Sequence, residues 1–132
     1  MNDKKKERRK SKRAFFNPAD KICATIRTRA EPPVSLPVTL ISISPGGFGL
    51  YCPRDKVLDI IKEGDQLTLT DINMPQPLGP IASIAVEVKY ILDYEGAGRV
   101  GLGCNFFEIS ETLRNKIRDF VEYHYETTAF DD

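Results

Sequence analysis

Two arginines near the start of the chain, Arg9 and Arg13, stand four residues apart in a strongly basic segment. Residues 1–13 hold eight lysines and arginines against two acidic residues, a net charge of +6, and residues 14–132 carry −6. A guanidinium group can donate two hydrogen bonds to a phosphate, or to the O6 and N7 edge of guanine. The segment therefore predicts an anionic partner, which can be a nucleotide, a nucleic acid or a membrane surface. Because it lacks apolar periodicity, we expect it to be disordered on its own.

A second segment, residues 42–47, supplies two hydroxyls and two glycines between two apolar runs. Ser42 and Ser44 are two apart, so they share one face of a predicted strand, where their hydroxyls can face a ligand. We expect Gly46 and Gly47 to turn the chain with positive φ, and Gly47 to allow a close backbone approach. Together the two segments predict a site that closes on one small anionic ligand. A solvated basic tail and an ordinary hairpin are the alternative.

The elements that must position these side chains follow from periodicity and turn residues. Alternating apolar residues predict six short strands, and in the fifth we expect Ile84, Val86, Val88 and Tyr90 to share one face. Helical spacing after a Ser110 N-cap predicts one terminal helix. Six strands and a helix indicate a small antiparallel barrel with a helical lid. The predicted strands are residues 21–29, 36–43, 48–52, 66–70, 81–92 and 99–107. Residues 54–62 are ambiguous, with one helical turn as an option, and residues 73–80 are an irregular loop or an edge.

Cysteine usage and hydropathy suggest the compartment. The three cysteines, Cys23, Cys52 and Cys104, are odd in number and form no CxxC pair, so we expect reduced core thiols and neither a disulfide framework nor a zinc site. No stretch reaches the ~18 apolar residues of a membrane helix, and the charged start predicts no signal peptide. We therefore expect a cytoplasmic protein with no membrane segment.

An enzyme is not expected. The one histidine, His124, falls on the apolar side of the predicted helix, and the carboxylates show no metal-ligand spacing. Residues 96–101 match the G-x-G-x-x-G dinucleotide pattern, whose mechanism needs a helix directly after the glycines. Here a strand-like run follows, so we interpret the match as a hairpin turn. We predict no catalytic residue, no metal and no cofactor.

The two segments together resemble the PilZ domain family, whose pattern is R-x-x-x-R followed about thirty residues later by [D/N]-x-S-x-x-G. The first motif corresponds to Arg9–Arg13, preceded by the family-like Glu7-Arg8, and the second to Ser42–Gly47. The resemblance continues through Gly64-Asp65 and through Gly103–Phe106, which is similar to the last strand of the family. It implies an all-β fold, a six-stranded antiparallel split barrel with a C-terminal α-helix. It divides the chain into a flexible basic arm at 1–13 and a barrel domain at 14–132.

This resemblance implies a receptor for cyclic di-GMP, a bacterial second messenger with two guanines and two phosphates. Carried over by position, Arg9 and Arg13 would grip guanine edges and phosphates, Ser44 would hydrogen-bond a guanine, and Gly47 would hold the turn. Ser42 stands where the family usually has Asp or Asn. Serine offers a shorter reach and a single hydroxyl, which predicts weaker or water-mediated binding at this position.

Arg8 carries a separate hypothesis about stoichiometry. In this family the residue before the first motif arginine is linked to ligand number, and an arginine there implies two stacked cyclic di-GMP molecules per chain. The expected mechanism is ordering of the arm on ligand binding, read by an unknown downstream protein. Two alternatives stay open: a PilZ-like protein-interaction adaptor that binds no nucleotide, and a basic-armed barrel that binds nucleic acid. Nucleic acid is not the expected partner, because residues 14–132 are net acidic.

Overall fold

Antiparallel strands make up most of the protein in a computed structural model, which describes residues 13–131 apart from the side chains at 18, 56, 95 and 124–131. Short 3₁₀ turns occur at Pro18–Asp20 and Glu95–Ala97. The strands are β1 (Ala14–Phe15), β2 (Cys23–Thr28), β3 (Ser35–Ser44), β4 (Gly47–Pro53), β5 (Gln66–Asn73), β6 (Pro80–Tyr94) and β7 (Arg99–Glu108), and the helices are α1 (Arg54–Val57) and α2 (Glu111–Asp131).

Six of the strands close into an antiparallel barrel. Their order is β3-β2-β5-β6-β7-β4, and pairing between β4 and β3 completes the ring. The remaining strand, β1, pairs with β3 through Ala14↔Ile43 and Phe15↔Ser42, beyond the point where β2 ends its own pairing. Closure leaves no long unpaired edge among these strands. The predicted fold class, a six-stranded antiparallel barrel with a C-terminal helix, is confirmed.

The barrel interior is filled by one residue in two from each strand, as period-two patterning requires. On β2, Ala24 and Ile26 are buried, while Cys23 is exposed on the opposite face. The prediction of three core thiols is therefore wrong for Cys23, because the alternation of β2 turns it outward. Cys52 and Cys104 are buried and reduced, and burial raises the pKa of each thiol to about 12.

Helix α2 begins where the sequence predicts. The Ser110 hydroxyl accepts a hydrogen bond from the Leu113 N–H at 3.1 Å, which satisfies one of the unpaired donors at the helix start. Ile117 and Phe120 are buried, and the Phe120 ring lies 6.4 Å from that of Phe16, just after β1. The helix thus packs across β1, which directly follows the basic arm, and across β3, which contains the serine segment. The side chain of His124 lies outside the described residues.

Two of the three register shifts between paired strands decide which residues near the serine segment face the core. In β3 the register shifts between Leu40 and Ser42, and in β6 it shifts between Val88 and Tyr90. Each bulge inserts one unpaired residue, which reverses the in-and-out alternation beyond it. The prediction that Tyr90 shares a face with Val88 is therefore wrong: Val88 is 1% exposed and Tyr90 is 48% exposed.

Candidate functional site

The bulge in β3 decides where Ser42 points. Leu36, Val38 and Leu40 alternate into the core, so an unbroken count would place Ser42 inside as well. After the bulge, Ile43 is the fully buried residue and Ser42 pairs with Gly49 on the outer face of the barrel. One extra residue thereby moves a hydroxyl from the core to the outer surface.

Ser42 meets the basic arm at this surface. The Arg13 guanidinium donates a hydrogen bond from Nη1 to the Ser42 Oγ at 3.1 Å, joining residues 29 positions apart. Ser42 is only 3% exposed, whereas Arg13 is exposed. A Cβ on Gly49 would lie 2.7 Å from the Ser42 Oγ, so a side chain at position 49 would clash with the hydroxyl and glycine leaves room for it. The contact engages one guanidinium nitrogen, and the exposed Arg13 has further N–H groups that can donate to a ligand.

The turn after β3 is held by short contacts on several sides. The Ser44 Oγ accepts a hydrogen bond from the Gly46 N–H at 3.2 Å, and Ser44 is 2% exposed. The Gly46 carbonyl accepts from the Phe106 N–H at 2.8 Å, and the Pro45 carbonyl accepts from Arg114 Nη1 of α2 at 3.0 Å. The Ser44 hydroxyl therefore takes part in forming the turn, and its predicted contact with a guanine stays a prediction.

Gly47 is required by close packing between strands. The expectation that Gly46 and Gly47 adopt positive φ is wrong, because the glycines with positive φ are Gly64, Gly79 and Gly98. A Cβ on Gly47 would lie 2.8 Å from the Cys104 carbonyl carbon, 2.9 Å from the Asn105 Cα and closer still to the Cys104 carbonyl oxygen. The motif glycine thus allows β4 to approach β7, a constraint set by tertiary pairing.

The outer face beside Ser42 is a shallow trough lined by glycines and aromatic rings. Strand register places Phe15, Ser42, Gly49, Gly103 and Tyr90 in one row across β1, β3, β4, β7 and β6. A neighbouring row is formed by Tyr51, Gly101 and Leu92. The cavity over these rows measures about 300 Å³, and Arg13 also lines it.

Paired charges and rings border the trough. The Arg99 guanidinium carbon lies 4.0 Å from the centroid of the Tyr51 ring, and the Tyr51 and Tyr94 rings meet edge-on at 6.0 Å. Nearby, Arg54 Nε and Nη2 donate to the Asp93 carboxylate at 2.6 and 3.0 Å. The hydrogen bonds from Arg54 lower the pKa of Asp93. Among the described residues that line the candidate cavity, Arg13 is the one with a charged side chain. Arg99 lines a neighbouring cavity that shares Tyr51 with it.

Two other observations bear on the choice of site. A larger cavity of about 700 Å³ lies between the β1–β2 connection and the loop before β6, and it contains Asp20 and Lys21 but none of the predicted binding residues. Among residues 13–131, no cluster of three His, Cys, Asp or Glu side chains could hold a metal ion. We therefore take the smaller cavity, which joins Arg13 to Ser42, as the candidate site.

No helix within the described part of the chain is long and apolar enough to span a bilayer.

The predicted site residues divide into three groups. Arg13 and Ser42 are in contact and line the candidate cavity. Ser44 and Gly47 form the adjoining turn and the β4–β7 contact. Arg8 and Arg9 lie outside the described residues.

Sequence reasoning missed the outer aromatic face, because it placed Tyr90 in the core. The sequence carries no signal for this face, because Tyr90, Leu92 and Tyr94 continue the period-two pattern of the buried residues before them, and their exposure follows only from the bulge. Residues 96–101 match the dinucleotide-binding pattern in sequence, and their interpretation as a hairpin turn is confirmed. A 3₁₀ turn at Glu95–Ala97 leads from β6 into β7.

Comparisons with known proteins identify the family and the fold. A comparison with protein-family models matches residues 7–123 to the PilZ domain. The fold is similar to the PilZ domain of YcgR from Escherichia coli with c-di-GMP, with a TM-score of 0.67, 17% identity and coverage of 94% of this chain and 96% of that one. No curated protein sequence matches the chain.

Two longer structures contain the same fold. The K. pneumonia MrkH–c-di-GMP complex gives a TM-score of 0.69 with 16% identity over 94% of this chain and 55% of that one. The Bacillus subtilis inhibitor of motility, MotI/DgrA, gives 0.66 with 14% identity over 90% and 52%. The chain thus spans about half the length of each of these two proteins. Since the domain match covers most of the 132 residues and the closed barrel reproduces the fold of these structures, the chain belongs to the PilZ domain family.

Proposed function

We propose that the protein is a cyclic di-GMP receptor that passes its signal to a partner protein. The observation that carries the proposal is the hydrogen bond from Arg13 to Ser42, which joins the end of the basic arm to the serine segment at an open cavity. Solved PilZ structures of similar fold were determined with c-di-GMP, which supports this ligand. The ligand carries two phosphates and two guanines, both of which suit an arginine fork.

Arg13 and Ser42 have different roles in this proposal. Arg13 is exposed and donates its free N–H groups to a phosphate or to a guanine edge. Ser42 is almost fully buried and acts as the anchor, because its hydroxyl accepts from Arg13 Nη1 and holds the guanidinium over the trough. The Asp or Asn usual at this position in the family would serve the same purpose with a stronger acceptor.

The proposed mechanism is that ligand draws the arm, residues 1–13, onto the barrel. Fixing a backbone opposes this by roughly 1–2 kcal/mol per residue. Charge-assisted hydrogen bonds of about 1.5–3 kcal/mol each offset that loss when several form together. The covered surface is then what a partner reads. Amide hydrogen exchange in residues 5–15 should slow when ligand is added, and unchanged exchange there would contradict arm ordering.

Calorimetric titration with cyclic di-GMP tests the proposal. We expect the wild type to bind, Arg13→Ala to lose most of the affinity, and Ser42→Ala to weaken binding about 10–100-fold, which corresponds to one hydrogen bond to a charged group. Lys116→Ala is the matched control, since it removes a positive charge beside a different cavity on α2. A folded wild-type protein that gives no binding would contradict the proposal and favour the adaptor that binds no nucleotide.

The same titration tests ligand number. If Arg8 takes part as the family resemblance implies, the wild type binds two ligands per chain, and Arg8→Ala binds one. A wild-type stoichiometry of one would overturn this part of the proposal without affecting the receptor function.

A further inference from the structure

The Tyr90 side chain lies flat on the barrel in the candidate cavity. A Cβ built on Gly103 would stand within 2.7 Å of Tyr90 Cε1 and closer still to Cζ and Cε2. Three ring atoms this near to a single point place that point over the face of the ring. One face of the tyrosine therefore covers Gly103, and the residue is still 48% exposed.

This geometry depends on two local features of the sequence. The bulge between Val88 and Tyr90 turns the tyrosine outward, and the absence of a side chain at Gly103 lets the ring rest against the backbone of β7. Tyr94 approaches the neighbouring Gly101 less closely, through one ring atom, Cε2, at 3.1 Å from the Gly101 Cβ position. The Tyr90 ring is therefore the flat aromatic surface that is supported from beneath by a glycine.

We propose that Tyr90 is a stacking platform for one guanine base of cyclic di-GMP. This inference rests on the proposed function and assigns a binding role to a residue outside both arginine and serine motifs. Tyr90 and Arg13 line the same cavity, and Ser42 and Gly49 line it between them. Since neighbouring strands are ~4.8 Å apart, the ring over β7 lies about 10 Å from β3, a separation that one dinucleotide spans.

The chemistry of the ring favours a base as its occupant. Nucleic-acid bases stack on aromatic side chains, and an aromatic ring held in place by packing loses little rotamer freedom on binding. Arg13 then takes a phosphate or the second guanine, so that the two ends of the trough hold different parts of one ligand. The alternative is that Tyr90 only shields the glycine backbone from water, a role that any large apolar side chain can fill.

Three variants separate these possibilities in calorimetric titrations with cyclic di-GMP. Tyr90→Phe keeps the ring, and we expect its affinity to stay within about twofold of the wild type. Tyr90→Leu keeps an apolar cover over Gly103 and removes the ring, and we expect about 10-fold weaker binding. Tyr123→Leu is the control, because Tyr123 is an exposed tyrosine on α2, away from the cavity, and its loss should leave affinity unchanged.

Tyrosine fluorescence gives a second readout that does not depend on the stability of Tyr90→Leu. The sequence has five tyrosines and no tryptophan, so a base stacked on Tyr90 should quench part of the wild-type emission. Tyr90→Phe should bind equally well with less quenching. Equal affinity of Tyr90→Leu and the wild type, or equal quenching in Tyr90→Phe and the wild type, would overturn the platform while leaving the receptor function intact. Failure of the wild type to bind would overturn both.

Discussion

Alanine substitution at two adjacent glycines should give opposite effects on stability. At Gly47 the new Cβ would meet only backbone atoms of β7, at 2.8 Å from the Cys104 carbonyl carbon, 2.9 Å from the Asn105 Cα and closer to the Cys104 oxygen. A backbone cannot rotate away as a side chain can, so β4 and β7 must separate at this end. At Gly46 the nearest atom to a new Cβ is the Ser44 Oγ at 3.8 Å, an ordinary contact.

The magnitude follows from what the separation would break. The Gly47↔Asn105 pairing ends the β4–β7 ladder, and the Phe106 N–H donates to the Gly46 carbonyl beside it. Loss of these hydrogen bonds at about 1 kcal/mol each, together with overpacking, predicts a destabilisation of about 3 kcal/mol for Gly47→Ala. In a domain of this size that lowers the melting temperature by about 10 °C. Gly46→Ala should instead gain about 0.5 kcal/mol, because it restricts the unfolded chain.

Urea unfolding followed by circular dichroism measures both variants without ligand. The prediction is that Gly47→Ala unfolds at a much lower urea concentration than the wild type, and Gly46→Ala at the same or a slightly higher one. Equal stability of the two variants would refute the reasoning. It would mean that the motif glycine is needed for ligand contact rather than for strand packing.

Two further predictions concern the titratable groups. At about pH 8 a thiol-reactive disulfide should modify only Cys23 in the folded protein and all three cysteines after denaturation. The reason is that Cys52 and Cys104 are buried and their pKa values are raised to about 12. Rapid modification of all three cysteines in the folded protein would contradict this burial. The pKa of Asp93 is lowered in the folded state, so its carboxylate contributes stability above the ordinary aspartate pKa, and that contribution disappears as the pH falls through the lowered value. The difference in unfolding free energy between the wild type and Asp93→Asn should therefore shrink in acid, and a constant difference would show that Arg54 does not act through the charge.

The sequence predicted the elements well where the signal is local. The turn between β3 and β4 and the N-cap of α2 at Ser110 are confirmed, and the segment 54–62, which the pattern leaves ambiguous, begins with the helical turn α1. Alternation and capping depend on neighbours a few residues away, so a sequence shows them directly.

The features that shape the candidate site are set by distant parts of the chain. The alternation of apolar and polar residues does not show where β3 or β6 contains an extra residue. Each bulge exchanges the inward and outward positions in the rest of its strand. The requirement at Gly47 arises from Cys104 and Asn105, which come close only through barrel closure. The arginine and serine motifs therefore indicated which residues to examine, whereas the outer face with Tyr90 emerged only from the strand register.

The most direct test of the account is an amide-resolved NMR titration of the intact protein with cyclic di-GMP. The account predicts that the largest shifts fall on Arg13, Ser42, Gly49 and Gly101, which line the candidate cavity. Shifts concentrated at the groove between α2 and the loop before β6, around Lys116, would contradict the assignment of the site. The absence of any shift at saturating ligand would contradict the proposed receptor function itself.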